Sequence, residues 1–170
     1  GEQPWGDGTE SDPYLIANLD NLLWLSTTET AWDSLYFVQT QDIDASDTQS
    51  WNAGAGFSPI GNNHTHHNNQ PFSGNYNGGN HLIEGLFINR PDDEHIGFFG
   101  NTNGAVINAL IVTNVYVSGN DQVGGLVGYL GWDSTLEESY VTGSVFGNEN
   151  VGCLVGEKFG SSIISSHASG

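Results

Sequence analysis

A short glycine-bracketed motif recurs at a fixed interval, and this repetition constrains the fold of the chain more than any other feature. VGGLVG occupies residues 123–128, VGCLVG occupies residues 151–156, and a degenerate copy, IGFFG, ends at Gly100. The closing glycines Gly100, Gly128 and Gly156 are therefore 28 residues apart in both intervals. A constant period of this size predicts a solenoid in which each repeat forms one turn.

The residues between these motifs favour strands over helices. Val, Ile, Thr and Tyr dominate them, and such side chains are stiff and suit a pleated strand. Gly, Asn and Ser interrupt the runs, and we expect the paired glycines to supply positive φ angles at tight corners. A turn of about 28 residues then has roughly three short sides. The sequence therefore predicts an all-β fold of the β-helix (β-solenoid) type.

The repeat also predicts which side chains form the core. Successive turns of such a coil stack about 4.8 Å apart, so equivalent side chains lie directly on one another. The predicted columns are Phe98, Leu126 and Leu154; Val123 and Val151; and Leu136 and Ile163.

We expect one domain with three parts, because 170 residues can bury a core without disulfides or metals. Residues 1–13 predict an extended N-terminal arm, residues 14–34 a helical cap, and residues 35–170 a solenoid of about five coils. In the cap, Leu19, Leu22, Leu23 and Trp24 form one apolar helical face after Asn18, a plausible N-cap. A cap is expected because an open solenoid end exposes apolar side chains and unpaired strand edges.

The charge of the chain excludes several partners. Two Lys and Arg residues stand against 20 Asp and Glu residues, for a formal net charge of −18. Such a surface repels nucleic acid and anionic lipid. The sequence also lacks an apolar run long enough for membrane insertion. The acidic surface is therefore expected to keep the protein hydrated or to be neutralised in part by divalent cations.

Two groups of residues are candidate metal ligands. Asp42, Asp44 and Asp47 have the alternating spacing that could offer carboxylates to calcium, but they lack the glycine-punctuated loop of a recognised calcium motif. His64, His66 and His67 could converge on a transition metal, but no fourth ligand is specified. We therefore predict no cofactor, while calcium and a metal at the histidine loop remain open alternatives.

Catalysis is not indicated by any arrangement of residues. Glu137 and Glu138 are adjacent, and adjacent side chains on a strand point to opposite faces instead of into one cleft. Arg90 and Lys158, the two basic residues, belong to different coils and cannot jointly stabilise a developing negative charge. The sequence predicts a protein that is not an enzyme.

The motifs PYLI, a Leu-rich helix, YFVQTQDIDAS, GFSPIGN, FSGNYNGGNHLIEGLFINR, GFFG and repeated VGGLVG follow one another along nearly the whole chain. In this order they resemble the GLUG-repeat family of bacterial extracellular and cell-surface proteins. The resemblance implies a β-helical solenoid from a secreted protein, often part of a large adhesin-like polypeptide, and it carries no catalytic residues. Cys153 replaces a glycine of the motif, and we expect it to be a small buried residue.

The leading functional hypothesis is a non-enzymatic extracellular module with a structural or adhesive role. An unfinished last coil would leave Leu154, Val155 and Ile163 half covered, so neighbouring repeats or a second copy should cover them. Together with Trp5 in the arm, these residues are the candidate contacts for head-to-tail self-assembly into a surface filament.

A carbohydrate-binding module of a larger secreted adhesin is the alternative. In that hypothesis Trp51, Trp132 or Tyr140 serves as an exposed platform on which a glycan stacks.

Overall fold

The computed structural model describes residues 1–63 and 69–170, so the predicted histidine loop at His64, His66 and His67 lies outside the described residues. One α-helix, α1 (Leu19–Thr27), and two 3₁₀ helices, Glu29–Ala31 and Ser46–Gly54, accompany the strands. The strands are β1 (Tyr14–Ile16), β2 (Tyr36–Gln39), β3 (Ile43–Asp44), β4 (Asn62–Asn63), β5 (Asn69–Gln70), β6 (Asn75–Asn77), β7 (Leu82–Glu84), β8 (Phe87–Asn89), β9 (Glu94–Ile96), β10 (Phe99–Thr102), β11 (Val106–Asn108), β12 (Ile111–Ser118), β13 (Asp121–Gly124), β14 (Val127–Leu130), β15 (Thr135–Glu137), β16 (Tyr140–Phe146), β17 (Glu149–Gly152), β18 (Val155–Lys158), β19 (Ser162–Ile164) and β20 (His167–Ser169).

The strands wind into a parallel β-solenoid, which confirms the predicted fold class. In the described part of the chain three turns are complete, and each has four sides. The first side joins β6, β11 and β15, the second β7 and β8 with β12 and β16, the third β9, β13 and β17, and the fourth β10, β14 and β18. The predicted count of about five coils is too high. The 3₁₀ helix Ser46–Gly54 and the antiparallel pair of β4 and β5 replace regular sides before the first complete turn.

The predicted core columns are confirmed by the register of the strands. Val123 pairs with Val151 and Leu136 with Ile163, and the Leu126 amide donates to the Leu154 carbonyl at 3.1 Å. From β2 onwards, the inward-facing column on the first side contains Phe37, Tyr76, Ile107, Leu136 and Ile163. Its first four members are buried, whereas Ile163 in the last turn is 36% exposed. Each turn is thus covered by the next, and the last turn is not.

The helical cap, predicted at residues 14–34, starts later, because Tyr14–Ile16 form strand β1 and α1 begins at Leu19 after the predicted N-cap Asn18. Asn18 accepts a hydrogen bond from the Asn21 amide at 2.9 Å and caps α1. Leu22 and Leu25 are fully buried against the first turn, and Leu25 was missing from the predicted apolar face. The Trp32 indole donates to the Leu25 carbonyl at 2.7 Å, which fixes the end of the helix on the solenoid.

The N-terminal arm lies along the outer edge of β1. The Leu15 amide donates to the Trp5 carbonyl at 2.8 Å, and the Asn21 side-chain amide donates to the Glu2 carbonyl at 2.9 Å. The arm therefore closes the edge of the first side at this end, since an edge strand that is already paired cannot template another chain.

The corners of the turns depend on non-glycine residues, contrary to the predicted role of the paired glycines. His95, Gln122 and Asn150 occupy one corner in successive turns with φ angles of 58°, 53° and 48°. Another corner is formed by Asn80, Ala109, Glu138 and Ser165, which all have positive φ. Among the described glycines, those of the VGGLVG motif do not have positive φ.

The motif glycines are required by close packing of the third and fourth sides. A Cβ atom on Gly128 would stand 2.6 Å from the Ile96 nitrogen and 2.6 Å from the Gln122 oxygen. Both atoms belong to the backbone and cannot swing away. The glycine period therefore marks the place where two sides of each turn come together without side chains between them.

Substitution of Gly128 tests this packing role. We expect Gly128→Ala to lower the free energy of unfolding by about 1–3 kcal/mol, because the backbone on both sides must shift. Gly104→Asp is the matched control: Gly104 has open space around it and a φ of 70°, and Asp133 fills the equivalent corner with a φ of 57°. The control should cost less than about 1 kcal/mol in urea unfolding. Equal stabilities of the two variants would contradict the packing role.

Candidate interaction surfaces

The last turn of the solenoid presents an uncovered set of apolar side chains. Val155 pairs with Val127 and Ile163 with Leu136 along one edge, and the other edge has no partner in the structure. Ile164 beside them is 49% exposed. The sequence-predicted residues Leu154, Val155 and Ile163 thus lie together on one end of the molecule, where further strands could pair.

Cys153 belongs to the same uncovered turn, and the prediction that it is buried is wrong. Gly125, the equivalent residue one turn earlier, is buried because Cys153 lies over it. The Gly125 amide donates to the Cys153 carbonyl at 2.9 Å. No later turn lies over Cys153, which is exposed.

Trp5 lies at the opposite end of the molecule from Leu154, Val155 and Ile163. The six-stranded first side begins with β1, on which the arm lies, and ends with β19. The structure therefore separates Trp5 from the other predicted contacts, as a head-to-tail contact between two copies would require. On the first side, the backbone edge at the Trp5 end is already paired by the arm, whereas the outer edge of β19 in the last turn has no partner among the described residues.

Three carboxylates form a column that the sequence analysis did not identify. Asp121 pairs in register with Glu94 in the preceding turn and with Glu149 in the following turn. Parallel neighbours lie about 4.8 Å apart, so like charges in this column repel one another. Asp121 Oδ1 accepts hydrogen bonds from the Gln122 amide and the Asn150 side-chain amide, both at 2.8 Å. The repeat spacing could have revealed this acidic column, because each of the three acids stands directly before the corner residue of its turn, which is His95, Gln122 or Asn150.

His95 lies next to this acidic column and is largely buried. It is 8% exposed, and its Nδ1 atom has no hydrogen-bond partner within the described residues. Burial lowers the pKa of His95 below its ordinary value of 6.5, and the negative charges of Glu94, Asp121 and Glu157 act in the opposite direction. The neutral imidazole is thus the form that the folded state favours.

The aspartates considered for calcium act as local hydrogen-bond acceptors. Asp42 Oδ1 accepts from the Leu82 amide at 2.8 Å and lies 3.5 Å from His81 Nδ1. Asp44 Oδ1 accepts from the Ser46 amide at 2.9 Å, and this bond lowers the pKa of Asp44. Asp47 is exposed. Within residues 1–63 and 69–170, no group of three or more His, Cys, Asp and Glu side chains could hold a metal ion.

The aromatic residues predicted as sugar platforms have different surroundings. Trp51 is half-buried and stacks on Phe57, with ring centroids 6.3 Å apart. Tyr140 is half-buried with its ring centroid 4.2 Å from that of His167. Trp132 is 57% exposed and meets the edge of the Phe159 ring at 5.1 Å. Of these three predicted residues, Trp132 alone is an exposed platform.

A cluster of three aromatic rings on the second side was missed from the sequence. Tyr116 pairs in register with Phe87, with ring centroids 5.0 Å apart, and Phe146, two residues beyond the register partner of Tyr116, approaches the Tyr116 ring diagonally at 5.5 Å. The Phe87 and Tyr116 rings are nearly parallel, at 14°. Their faces cover one another, so this cluster stabilises the stacking of turns and presents ring edges to solvent.

Replacement of the central carboxylate tests the repulsion in the acidic column. Asp121→Asn keeps the Oδ1 acceptor and removes one charge, so we expect about 0.2–1 kcal/mol of added stability at low salt. The gain should vanish near 1 M NaCl, where the Debye length is about 3 Å. Glu10→Gln, an exposed acid of the arm, is the control and should show a smaller gain. A gain for Asp121→Asn that does not depend on salt in thermal unfolding would contradict the repulsion.

Burial of His95 predicts a pH dependence of stability. Below pH 6.5 the unfolded chain gains a proton at His95 that the folded protein resists, because the folded pKa is the lower one. Wild-type stability should therefore fall as the pH drops from 7 through 6.5 and towards the folded pKa. His95→Asn installs the residue type found at the equivalent corner, Asn150, and should show a shallower fall. Parallel curves of unfolding free energy against pH would contradict burial of the neutral ring.

Comparison with known proteins identifies the repeat. Residues 119–145 match the family model described as the GLUG motif. The chain is 34% identical over 155 residues to halomucin of Haloquadratum walsbyi, an alignment that covers 89% of this chain and 2% of that protein. It is 37% identical over 118 residues to a protein of Evansella cellulosilytica described as a Gly-rich membrane protein, covering 66% of this chain and 12% of the relative.

A solved structure also aligns with the chain. It is described as an immunoglobulin A1 protease from Bacteroides ovatus, with a TM-score of 0.44 and 16% identity, covering 95% of this chain and 66% of that one. Within the described residues, no helix has the length and hydrophobicity to span a membrane. The matched motif at 119–145 coincides with one turn of the observed coil, so the resemblance found in the sequence is confirmed at this turn of the β-solenoid.

Proposed function

We propose that this protein is a non-enzymatic structural and adhesive module of an extracellular or cell-surface polypeptide. The observation that carries the proposal is the in-register stacking of equivalent residues through all complete turns, as in the column of Ile83, Val112 and Val141. A solenoid contacts only its neighbouring turns, so it extends by addition of turns and forms a spacer of defined length. The chain spans 2% and 12% of the two matched relatives, and we assign the role to this segment alone.

The proposed location draws on charge and on the relatives. A net charge of −18 keeps an exposed rod hydrated and apart from anionic lipid and nucleic acid. The relative from Evansella cellulosilytica is described as a membrane protein, which supports a position at the cell surface.

The non-enzymatic part of the proposal is supported by the structural use of the basic residues. The Arg90 guanidinium donates to the Ser58 hydroxyl at 3.3 Å and to the Gly56 carbonyl at 3.4 Å, which fastens the 3₁₀ segment to the solenoid. Lys158 is exposed on β18, two turns later. A catalytic site that stabilises a developing negative charge would need basic side chains such as these beside paired carboxylates.

The exposed last turn supports a role in assembly. Its open strand edges and the exposed Ile163 and Ile164 would be buried by further turns or by a second copy of this chain. Head-to-tail growth of a filament would have to use the arm, whose backbone is paired with β1. Because the arm occupies the edge of the first side, a second copy can instead meet this turn through its own equivalent turn, and such a contact forms a closed dimer.

Sedimentation velocity over a range of protein concentrations tests the assembly role. We expect a monomer–dimer equilibrium, and Ile163→Lys should weaken it by about tenfold or more, because a second copy would bury this position as the last turn buries its equivalent Leu136, and a buried charge costs at least about 1.4 kcal/mol. Leu82→Lys places the same charge on the exposed flank of the second side and is the matched control. Open-ended polymers would favour the filament instead, and a monomer at every concentration would contradict assembly through the last turn.

Adhesion through carbohydrate is the second candidate function. Exposed tryptophans favour it, because an indole ring offers a large apolar face to the C–H groups of a sugar. Trp132 is 57% exposed and Trp5 is 82% exposed.

A further inference from the structure

We infer that the groove between the N-terminal arm and the helical cap binds a neutral saccharide, with the Trp5 ring as its stacking platform. The inference rests on the adhesive part of the proposed function and assigns it a site and a ligand class. The stacking platform is therefore Trp5, which the sequence predicted only as an assembly contact, and not Trp51, Trp132 or Tyr140.

The groove has the size and lining of a small-molecule site. Its volume is about 440 Å³, within the range of about 300–1,000 Å³ typical of ligand pockets. The arm forms one wall, and β1 with the start of α1 forms the other. The lining residues are Glu2, Gln3, Trp5, Leu15, Ala17, Asn18, Asn21 and Thr40.

Trp5 is held by its backbone while its ring stays free. The Trp5 carbonyl accepts from the Leu15 amide at 2.8 Å, and Gly6, with a φ of 107°, turns the chain where any Cβ would meet the Pro13 carbonyl. The ring is nevertheless 82% exposed and makes no ring contact with another aromatic side chain of the described residues. A large exposed apolar ring whose backbone is held beside a groove is available to a ligand, because the fold itself does not bury it.

The polar lining matches sugar hydroxyl groups. Asn21 is already used, because its Nδ2 donates to Glu2 and its Oδ1 accepts from the Ala17 amide at 3.0 Å. Gln3 is exposed at the rim, and its side-chain amide has both donors and an acceptor. Asn18 is also exposed, and its Nδ2 can donate to a ligand, whereas its Oδ1 already accepts from the Asn21 amide as the cap of α1. The Thr40 hydroxyl donates to the Ile16 carbonyl at 3.5 Å and keeps its capacity to accept. Such a set pairs with vicinal hydroxyls, which also donate and accept.

The charge of the groove selects a neutral ligand. Glu2 is the charged side chain of the lining, and neither Arg90 nor Lys158 belongs to it. A uronic acid or sulfated sugar would face this carboxylate and the field of a chain with net charge −18. The inference is therefore specific for uncharged hexose or N-acetylhexosamine units.

Trp132 provides a matched comparison within the same chain. Its ring is also exposed, but its centroid lies 5.1 Å from that of Phe159, and a Cβ on Gly160 would stand 2.7 Å from the ring. The backbone at Gly160 therefore occupies one face of this indole. Trp132 does not line the groove beside the cap.

Titration with soluble trisaccharides tests the site. Cellotriose, mannotriose, chitotriose and trigalacturonic acid are each added to wild type, Trp5→Ala, Trp5→Tyr and Trp132→Ala, with the indole N–H signals followed by NMR. We expect at least one neutral trisaccharide to bind with a Kd below about 10 mM and trigalacturonic acid not to bind. Trp5→Ala should weaken binding at least about tenfold, Trp5→Tyr should restore part of it, and Trp132→Ala should leave it unchanged.

The outcomes separate the site from the general role. Unchanged thermal stability of Trp5→Ala is expected, since its ring is exposed and its backbone bond is kept. Binding that survives Trp5→Ala and is lost in Trp132→Ala would overturn the site while leaving carbohydrate adhesion in place. Preference for trigalacturonic acid would overturn the ligand class. Failure of the whole panel to bind wild type would overturn both the site and the carbohydrate role.

Discussion

Parallel pairing in register is the constraint on which the rest of the structure depends. Because each turn repeats the path of the previous one about 4.8 Å away, every side chain has its equivalents as nearest neighbours. Apolar residues therefore form buried columns, as for Ile83, Val112 and Val141, and corner residues must tolerate the same left-handed backbone turn after turn. The glycine motif follows from this constraint, since two sides of each turn touch through backbone atoms.

The same register that assembles the core also places like charges together. Glu94, Asp121 and Glu149 repel one another, and hydrogen bonds from Gln122 and Asn150 to the central carboxylate offset part of that cost. Each added turn makes an apolar column more stable, because more apolar surface is buried, whereas it makes a column of like charges less stable, because repulsion increases. The stability of the solenoid is thus a balance between buried columns and a strongly acidic surface, and ionic strength shifts that balance.

The fold class and the core columns could be predicted from the sequence, because Leu126 and its equivalents recur at a fixed spacing. The cap helix could be predicted from its apolar face and its N-cap, Asn18. The coil count was too high since the segment before the first complete turn follows no repeat. The expected burial of Cys153 failed because the prediction treated every turn as covered on both sides. The acidic column could not be predicted because it depends on the register of three turns. The Trp5 groove could not be predicted because it depends on where the arm lies on the cap.

Cysteine cross-linking tests the register most directly. In a Cys153→Ser background, Thr135 and Ser162 are each replaced by Cys. The two positions face outward and pair in adjacent turns. Paired parallel strands place them within the Cα separation of about 4.4–6.8 Å that a disulfide requires. We predict near-complete oxidation of this pair and little oxidation when Thr135 is combined with Ile164→Cys, which lies two residues out of register. Efficient cross-linking of the offset pair, with a reduced in-register pair, would contradict the stacked arrangement.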